Sequence, residues 1–428
     1  WKSNIRLDRT LVGLEDIDLL VHPSDADKFH GVINACGFKM AISRMGAGHP
    51  GVFHALAWDP VNGRLLDLHA YTQLISGDSF VKSFRFPVEE DLLSRTTLVD
   101  GVRIPDASCE LVLFLLRNLL KHISLVEIVK VNGDHDECRR ELSWLLARTN
   151  VEAAARLRDE WFPSIRIPFQ DMIDAVATGT TATRIAMGVR VAWALRHQRR
   201  IGHVAAACSR VMRVAKHYAV RARGRRNLTL LGGGAWIALA GPKGSGKSTL
   251  ATLLAKRLGK NLDVMTIHLG KPPATWLSAV PRMFVPAIRT LRPDERHSAY
   301  EKPERRAERR YSTMFVLGKL LLALDRRSLL ARYVRAMSSG TIVISDRCPA
   351  TSATGLDGSA FDDLAVTRAR GRVQRWLMEQ ERAVYRSLPT PRLVLKLSIS
   401  MATALERDRA RRKPGGPDPL AVERRWQL

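Results

Sequence analysis

The sequence predicts an α/β protein in which a three-layer domain with a parallel sheet follows an α+β domain and a helical connector. Three observations lead to this prediction. Residues 1–125 mix strand-like and helix-like patterns, and residues 126–228 are helical by pattern. Residues 229–428 alternate short apolar runs with helical patterns. We therefore expect three domains with these boundaries.

The first segment contains two recognisable strands and two recognisable helices. Strand patterns occur at 16–21 (DIDLLV) and 64–69 (RLLDLH). Residues 24–35 have a helical pattern that Gly37 ends, and residues 109–123 have a broad apolar face. The second helix is therefore expected to be buried.

The middle segment is rich in Ala, Arg and Val and ends in a strongly basic stretch, residues 210–227. We expect this stretch to be a solvated helix face or a linker. Three glycines at 232–234 follow it and predict a flexible joint before the last domain.

The third segment supplies the strands of the predicted parallel sheet. Apolar runs of strand length occur at 235–240, 263–268, 341–345 and 393–397, with helical patterns between them. This alternation favours a sheet covered on both faces. The polar, Arg-rich residues 290–310 interrupt it and are expected to form a mobile surface segment.

Composition limits the partners and the compartment. The 428 residues carry 68 basic and 42 acidic side chains, a net charge of +26, which favours anionic partners. The charge is spread along the chain without a recognised nucleic-acid motif, so nucleic acid is not the favoured partner.

The five cysteines are scattered and form no C-x-x-C pair, which argues against disulfides or a structural zinc site and favours a reducing, cytoplasmic compartment. No apolar run is long enough to span a bilayer. Because the chain begins at Trp1 and stops at Leu428 in mid-pattern, we expect a fragment of a longer protein.

One motif specifies chemistry directly. Residues 241–248 (GPKGSGKS) lie between an apolar strand and a helical pattern, which is the context of a phosphate-binding loop, or P-loop. Lys247 is expected at the β- and γ-phosphates, and the Ser248 hydroxyl at Mg²⁺. The chain is therefore predicted to bind ATP and Mg²⁺ through Gly241, Pro242, Lys243, Gly244, Ser245, Gly246, Lys247, Ser248 and Thr249.

Two further stretches of the third segment resemble the thymidylate kinase family. Residues 322–347 contain a helix with an Asp-Arg pair, a glycine turn, an apolar strand and a second Asp-Arg pair. Residues 393–397 and 404–412 (ALERDRARR) resemble that family's last core strand, helix and Arg-bearing lid. The resemblance covers nearly the whole third segment and implies a P-loop three-layer kinase domain.

The resemblance also implies roles for single residues. Asp346 would hold Mg²⁺ or orient the acceptor, and Arg326 and Arg347 would bind the acceptor's anionic group. Arg409 and Arg412 would close over the transferred phosphoryl group. For the pair Asp325 and Arg326, a surface salt bridge is the alternative. The expected catalytic residues are thus Lys247, Asp346, Arg347, Arg409 and Arg412.

The third segment departs from that family in the acceptor loop and directly after the second Asp-Arg pair. His268–Pro272 replaces an acidic, glycine-rich acceptor loop, and Cys348 replaces an aromatic residue. The resemblance implies that the elements that recognise a nucleobase would follow the lid, and we expect them beyond Leu428. The base-recognition surface is therefore not expected to be that of a housekeeping thymidylate kinase.

The first segment resembles an uncharacterised nucleotidyltransferase-like family. The resemblance rests on residues 16–21, the following helix, Asp67 with His69, and a helix near 119–123. It implies a two-Mg²⁺ site formed by Asp16, Asp18 and Asp67, because carboxylates two residues apart on a strand share a face. Residues 13–15 lack the serine that such enzymes use for the triphosphate. The alternative is that the aspartates solvate strand ends.

The leading functional hypothesis is an ATP-dependent kinase whose phosphate acceptor is a small anionic molecule, most simply a nucleoside monophosphate. A second is a two-headed kinase and nucleotidyltransferase that modifies a sugar or nucleotide in polysaccharide or natural-product synthesis. A third is a nucleotide-switched regulatory ATPase. A homodimer is left open.

Overall fold

The computed structural model describes residues 1–43, 48–121, 123, 135–222, 228–242, 244–270, 272–275, 278–281, 283, 311–349 and 358–409. For residues 135, 408 and 409 only the backbone is described. The chain divides into two compact units, Trp1–Leu228 and Thr229–Leu428.

The first unit combines a mixed sheet with two small antiparallel strand pairs. Four strands of the sheet lie in the order β1–β4–β3–β2, with β1 parallel to β4 and the other two pairings antiparallel. The small pairs are β5 with β6 and β7 with β8. The strands are β1 Ile17–Leu20, β2 Lys39–Ser43, β3 Val52–Asp59, β4 Arg64–Tyr71, β5 Leu74–Ser76, β6 Phe84–Phe86, β7 Thr96–Val99 and β8 Val102–Pro105.

The helices of this unit include the two that were predicted for the first segment. Further helices make up most of the described part of the middle segment, as expected. The helices are α1 Leu7–Leu11, α2 Ala26–Ala35, α3 Glu89–Ser94, α4 Ala107–Lys121, α5 His135–Leu146, α6 Val151–Trp161, α7 Phe169–Ala177, α8 Thr181–Ala194 and α9 His203–Ala222. In α9, only Ala206 is buried among the described side chains, as expected for a solvated basic helix.

Helix α4 is the centre of the main core of the first unit. Its residues 111–116 are all buried, so no face of this stretch contacts solvent. The helix packs against α6, α7 and α8, and one continuous apolar cluster joins it to residues as far along the chain as Leu195. Residues on both sides of position 125 therefore share a single core.

The second unit contains a fully parallel four-stranded sheet. Its strands, β10 Trp236–Ala240, β11 Val264–Ile267, β12 Ile342–Ser345 and β13 Leu393–Lys396, lie in the order β11–β12–β10–β13. All four coincide with the predicted apolar runs. The short strand β9, Leu228–Leu230, lies at the boundary of the two units.

Five described helices accompany this sheet: α10 Lys247–Leu258, α11 Thr313–Ser338, α12 Asp363–Thr367, α13 Arg372–Arg386 and α14 Met401–Arg409. Helices α11 and α13 pack together around a buried apolar cluster. The predicted mobile segment 290–310 lies outside the described residues. No helix within the described ranges is both long and apolar enough to cross a bilayer.

Candidate functional site

The connection between β10 and α10 has the backbone of a glycine-dependent loop. Gly241, Gly244 and Gly246 have φ angles of 147°, 88° and 89°, which side-chain-bearing residues rarely adopt. A Cβ atom on Gly241 would also lie 2.6 Å from the carbonyl oxygen of Leu397. Glycine is thus required at Gly241 both by φ and by the close approach of the chain after β13.

Lys247 begins α10, and its side chain turns back into this loop. Its Nζ atom donates to the carbonyl oxygens of Gly241 at 2.8 Å and Pro242 at 2.7 Å, and lies 3.4 Å from Ser245 Oγ. Ser248 and Thr249 follow in the first turn of the helix and are exposed. The lysine ammonium is therefore held where the loop backbone converges, at the positive end of the helix dipole. Lys243 lies outside the described residues.

Helix α14 lies against the loop from its other side. Ala404 is fully buried, and a Cβ atom on Gly244 would lie 3.2 Å from its carbonyl oxygen. The Arg407 guanidinium donates to the carbonyl oxygen of Gly244 at 3.3 Å. Arg407 is an arginine of α14 that sequence analysis did not select, since the Arg-rich run gives no sign of which member meets the loop.

The two predicted lid arginines cannot be placed at the site. The side chain of Arg409, the last residue of α14, and the whole of Arg412 lie outside the described part of the chain. Their roles as lid residues stay predictions.

Asp346 follows β12, beside the strand that leads into the loop, and its side chain is 16% exposed. Its Oδ2 atom lies 2.5 Å from Nδ1 of His268, which follows the neighbouring strand β11 and is 57% exposed. Its Oδ1 atom is buried and has no hydrogen-bond partner among the described residues. A buried carboxylate oxygen with spare acceptor capacity fits a hard cation such as Mg²⁺.

Arg347 and His268 converge over Gly270. A Cβ atom on Gly270 would lie 2.9 Å from Nε2 of His268 and 3.0 Å from the guanidinium carbon of Arg347. A larger residue at position 270 would therefore displace one of the two side chains. The backbone carbonyl of Arg347 is itself fixed by the Ser345 hydroxyl, which donates to it at 2.7 Å.

The other Asp-Arg pair, Asp325 and Arg326, is not exposed on the surface of the unit. Asp325 is 1% exposed, and its Oδ1 atom accepts hydrogen bonds from Thr275 and Ser278. The alternative of a surface salt bridge is therefore wrong for this pair. Arg326 donates to the carbonyl oxygen of Leu269 at 3.2 Å and to the Tyr385 hydroxyl. These contacts hold the guanidinium next to the segment that carries Gly270.

In the first unit, the three predicted carboxylates meet around a histidine to which sequence analysis gave no role. His69 Nε2 lies 3.3 Å from Asp67 Oδ1 and 3.9 Å from Asp16 Oδ2. On the other side of the ring, Nδ1 lies 3.7 Å from Asp18 Oδ1. Strand register produces this grouping, because Asp18 on β1 pairs with His69 on β4.

The charges in this cluster compensate one another. Burial alone would raise the pKa of Asp18, but the neighbouring His69 ring and the charge of Lys2, 2.9 Å away, lower it to about 2. Burial alone would lower the pKa of His69, but the neighbouring carboxylates of Asp18 and Asp67 raise it to about 9. Burial, together with the charge of His69, lowers the pKa of His54 to about 4.

The parallel sheet, the glycine-rich loop after β10 and the position of Lys247 are together compatible with a P-loop kinase-like fold. No family model matches this chain, and no curated protein matches it. Among solved structures it is similar to the thymidylate kinase from Candida albicans, at 17% identity over 46% of this chain and 76% of that one, with a TM-score of 0.24. A similarity of this size does not establish a common fold, so the assignment rests on the sheet and the loop.

Proposed function

We propose that residues 229–428 bind ATP with Mg²⁺ and transfer the γ-phosphoryl group to a small anionic acceptor, most simply a nucleoside monophosphate. The single observation that carries this proposal is the contact of the Lys247 ammonium with the carbonyl oxygens of Gly241 and Pro242. It fixes a positive charge at the mouth of a loop whose positive-φ glycines leave backbone N–H groups available to phosphate oxygens.

The nucleotide side needs a metal ligand as well as the loop. Ser248 and Asp346 would hold Mg²⁺, and the buried Oδ1 atom of Asp346 supports this assignment. Bound Mg²⁺ supplies cancellation of charge on the β- and γ-phosphates. The lysine and the N-terminus of α10 act on the same oxygens, so the chain's own contribution is mainly electrostatic.

The acceptor side is the surface formed by Arg347, His268 and Gly270. A guanidinium binds a phosphate or carboxylate through two parallel hydrogen bonds and thereby orients it. Arg347 would hold the acceptor's anionic group in this way, and Arg326, fixed by Tyr385 and Leu269, would extend the positive surface. In the transfer, an acceptor oxygen forms a bond to the γ-phosphorus while the bond to the bridging oxygen breaks, and ADP leaves.

The proposal is tested by incubating the chain with γ-labelled ATP and a panel of nucleoside monophosphates and sugar phosphates. We expect label to move to one acceptor class, with one ADP formed for each labelled product. Two control reactions measure the background transfer of label. One contains no acceptor, and the other contains ATP labelled at the α-phosphate. Turnover that needs no acceptor and is stimulated by DNA or RNA would refute the proposal and support a nucleotide-switched regulatory ATPase.

A further inference from the structure

Two histidines and one carboxylate in the first unit share one face of the mixed sheet. Asp67 and His69 are two residues apart on β4, so their side chains emerge on the same side of the strand. His54 on β3 is the register partner of His69 across the antiparallel pair β3 and β4. Strand pairing thus brings His54 next to two residues that already share a face of β4.

The ligand atoms of these three side chains lie close together. One nitrogen of each histidine and one carboxylate oxygen of Asp67 lie within 4.8 Å of one another. The two imidazole rings are 4.3 Å apart between centroids and nearly perpendicular. Nδ1 of His54 is buried and has no hydrogen-bond partner within the described ranges. The group therefore provides two nitrogen ligands and one oxygen ligand around a common point.

A second contact orients the central histidine. Nε2 of His69 faces Asp67, whereas Nδ1 faces Asp18 at 3.7 Å. A histidine that ligates a metal through one ring nitrogen usually directs the other to a carboxylate or carbonyl, which fixes the ring. Asp18 is itself held by Lys2, 2.9 Å away. The ion pair with Lys2 neutralises the Asp18 carboxylate. Asp67 and the more exposed Asp16 then remain near Nε2 of His69, on the side that would face the metal.

We propose that His54, Asp67 and His69 bind a divalent first-row transition metal ion, and that Asp18 is a positioning residue for His69. Imidazole nitrogen is a preferred ligand of Zn²⁺, Co²⁺ and related ions, whereas Mg²⁺ prefers oxygen ligands alone. Three protein ligands leave coordination positions open to water or substrate, which is typical of catalytic rather than structural metal sites. The site is independent of the kinase function proposed for the second unit.

The test uses the full chain, stripped of metal with a chelator and titrated with Co²⁺ as a spectroscopic probe. We expect saturable visible absorption without the thiolate charge-transfer band that a cysteine ligand would give, and an increase in melting temperature. His54→Gln should weaken Co²⁺ binding by more than about 100-fold, since it removes a ligand, and Asp67→Asn should act similarly. The matched control is His22→Gln, because His22 is bound to Ser24 and lies outside the cluster.

Asp18→Asn separates positioning from ligation. A positioning residue predicts Co²⁺ binding weakened by about 10–100-fold with the same absorption maximum. Circular dichroism and metal-free thermal unfolding show whether each variant is folded, and Asp67→Asn replaces His54→Gln if the latter is not. The proposal is overturned if a folded His54→Gln chain binds Co²⁺ as tightly as the parent. It is also overturned if Mg²⁺ stabilises the parent and the His54→Gln variant equally and Asp18→Asn abolishes that stabilisation. Such a result would indicate a site made of three carboxylates.

Discussion

Replacing Lys247 by alanine tests the phosphate-binding loop most directly. The substitution removes one ammonium group and the hydrogen bonds that it donates to the carbonyl oxygens of Gly241 and Pro242. The glycines that set the loop's backbone remain, and alanine is a good residue for the first turn of α10. We therefore expect a folded protein that has lost productive use of ATP.

The size of the loss follows from the charge that is removed. Two unit charges about 4 Å apart interact by about 4 kcal/mol at an effective dielectric constant of about 20. Since about 1.4 kcal/mol corresponds to a tenfold change in rate, turnover should fall by about 10³-fold. The lost hydrogen bonds join a charged donor to carbonyls that water can reach in the variant. They should therefore lower the free energy of unfolding by only about 1–2 kcal/mol.

The assay measures ADP formation and urea unfolding on the same preparations. Lys256→Ala is the matched control, because Lys256 is exposed and lies in the last turn of the same helix, whereas Lys247 lies in its first turn. It should leave turnover unchanged within about twofold. A folded Lys247→Ala chain with near-parental turnover would refute the assignment of this loop to ATP.

Three further predictions concern other parts of the chain. Arg347→Lys keeps the charge but loses the bidentate geometry. The kcat/KM for the acceptor should therefore fall by at least about tenfold, while the Kd for ATP stays within about twofold. Equal losses in kcat/KM and in ATP affinity would show that this arginine does not bind the acceptor. Burial raises the pKa of Glu381 above its unfolded value of 4.5. The protonated side chain therefore contributes its full stabilisation below pH 4.5, and this stabilisation is lost as the pH rises through the folded pKa. Urea unfolding between about pH 4 and pH 8 should therefore show a smaller fall for Glu381→Gln than for the parent, and identical pH profiles would contradict this. Burial also raises the pKa of the Cys109 thiol to about 12, so iodoacetamide should label the exposed Cys36 and Cys208 in the native protein but Cys109 only after unfolding, as peptide mass spectrometry would show.

The parallel sheet of the second unit could be predicted because its strands are buried on both faces and therefore form continuous apolar runs. The strand that precedes the loop, the loop and α10 were predictable together, since glycine, lysine and helix periodicity are all local signals. Strands β2 and β3 and the two small antiparallel pairs were not predicted. Their stability depends on cross-strand pairing, as in Ala55 with Leu68, which has no signature in either strand alone.

The candidate sites were predictable only in part, for the same reason. Lys247 and Asp346 could be selected from local motifs, but the contact of Asp346 with His268 joins residues 78 positions apart. His54 could not be selected at all, because only the register of β3 with β4 brings it to His69. Conversely, the burial of Asp325 beneath Thr275 and Ser278 depends on tertiary packing that an Asp-Arg pattern does not encode.

The complete burial of residues 111–116 of α4 has a consequence for how the first unit opens. Amide hydrogens in the middle of such a helix exchange with solvent only when the surrounding helices separate, so their exchange reports the largest opening event of the unit. Leu113 on α4, Leu157 on α6 and Ile173 on α7 belong to the same apolar cluster and should lose protection together. The strands that carry His54 and His69 pack around a different apolar cluster, which contains Ile33, Ala55 and Leu68, so the exchange of the α4 amides reports the opening of the helical core and not of these strands.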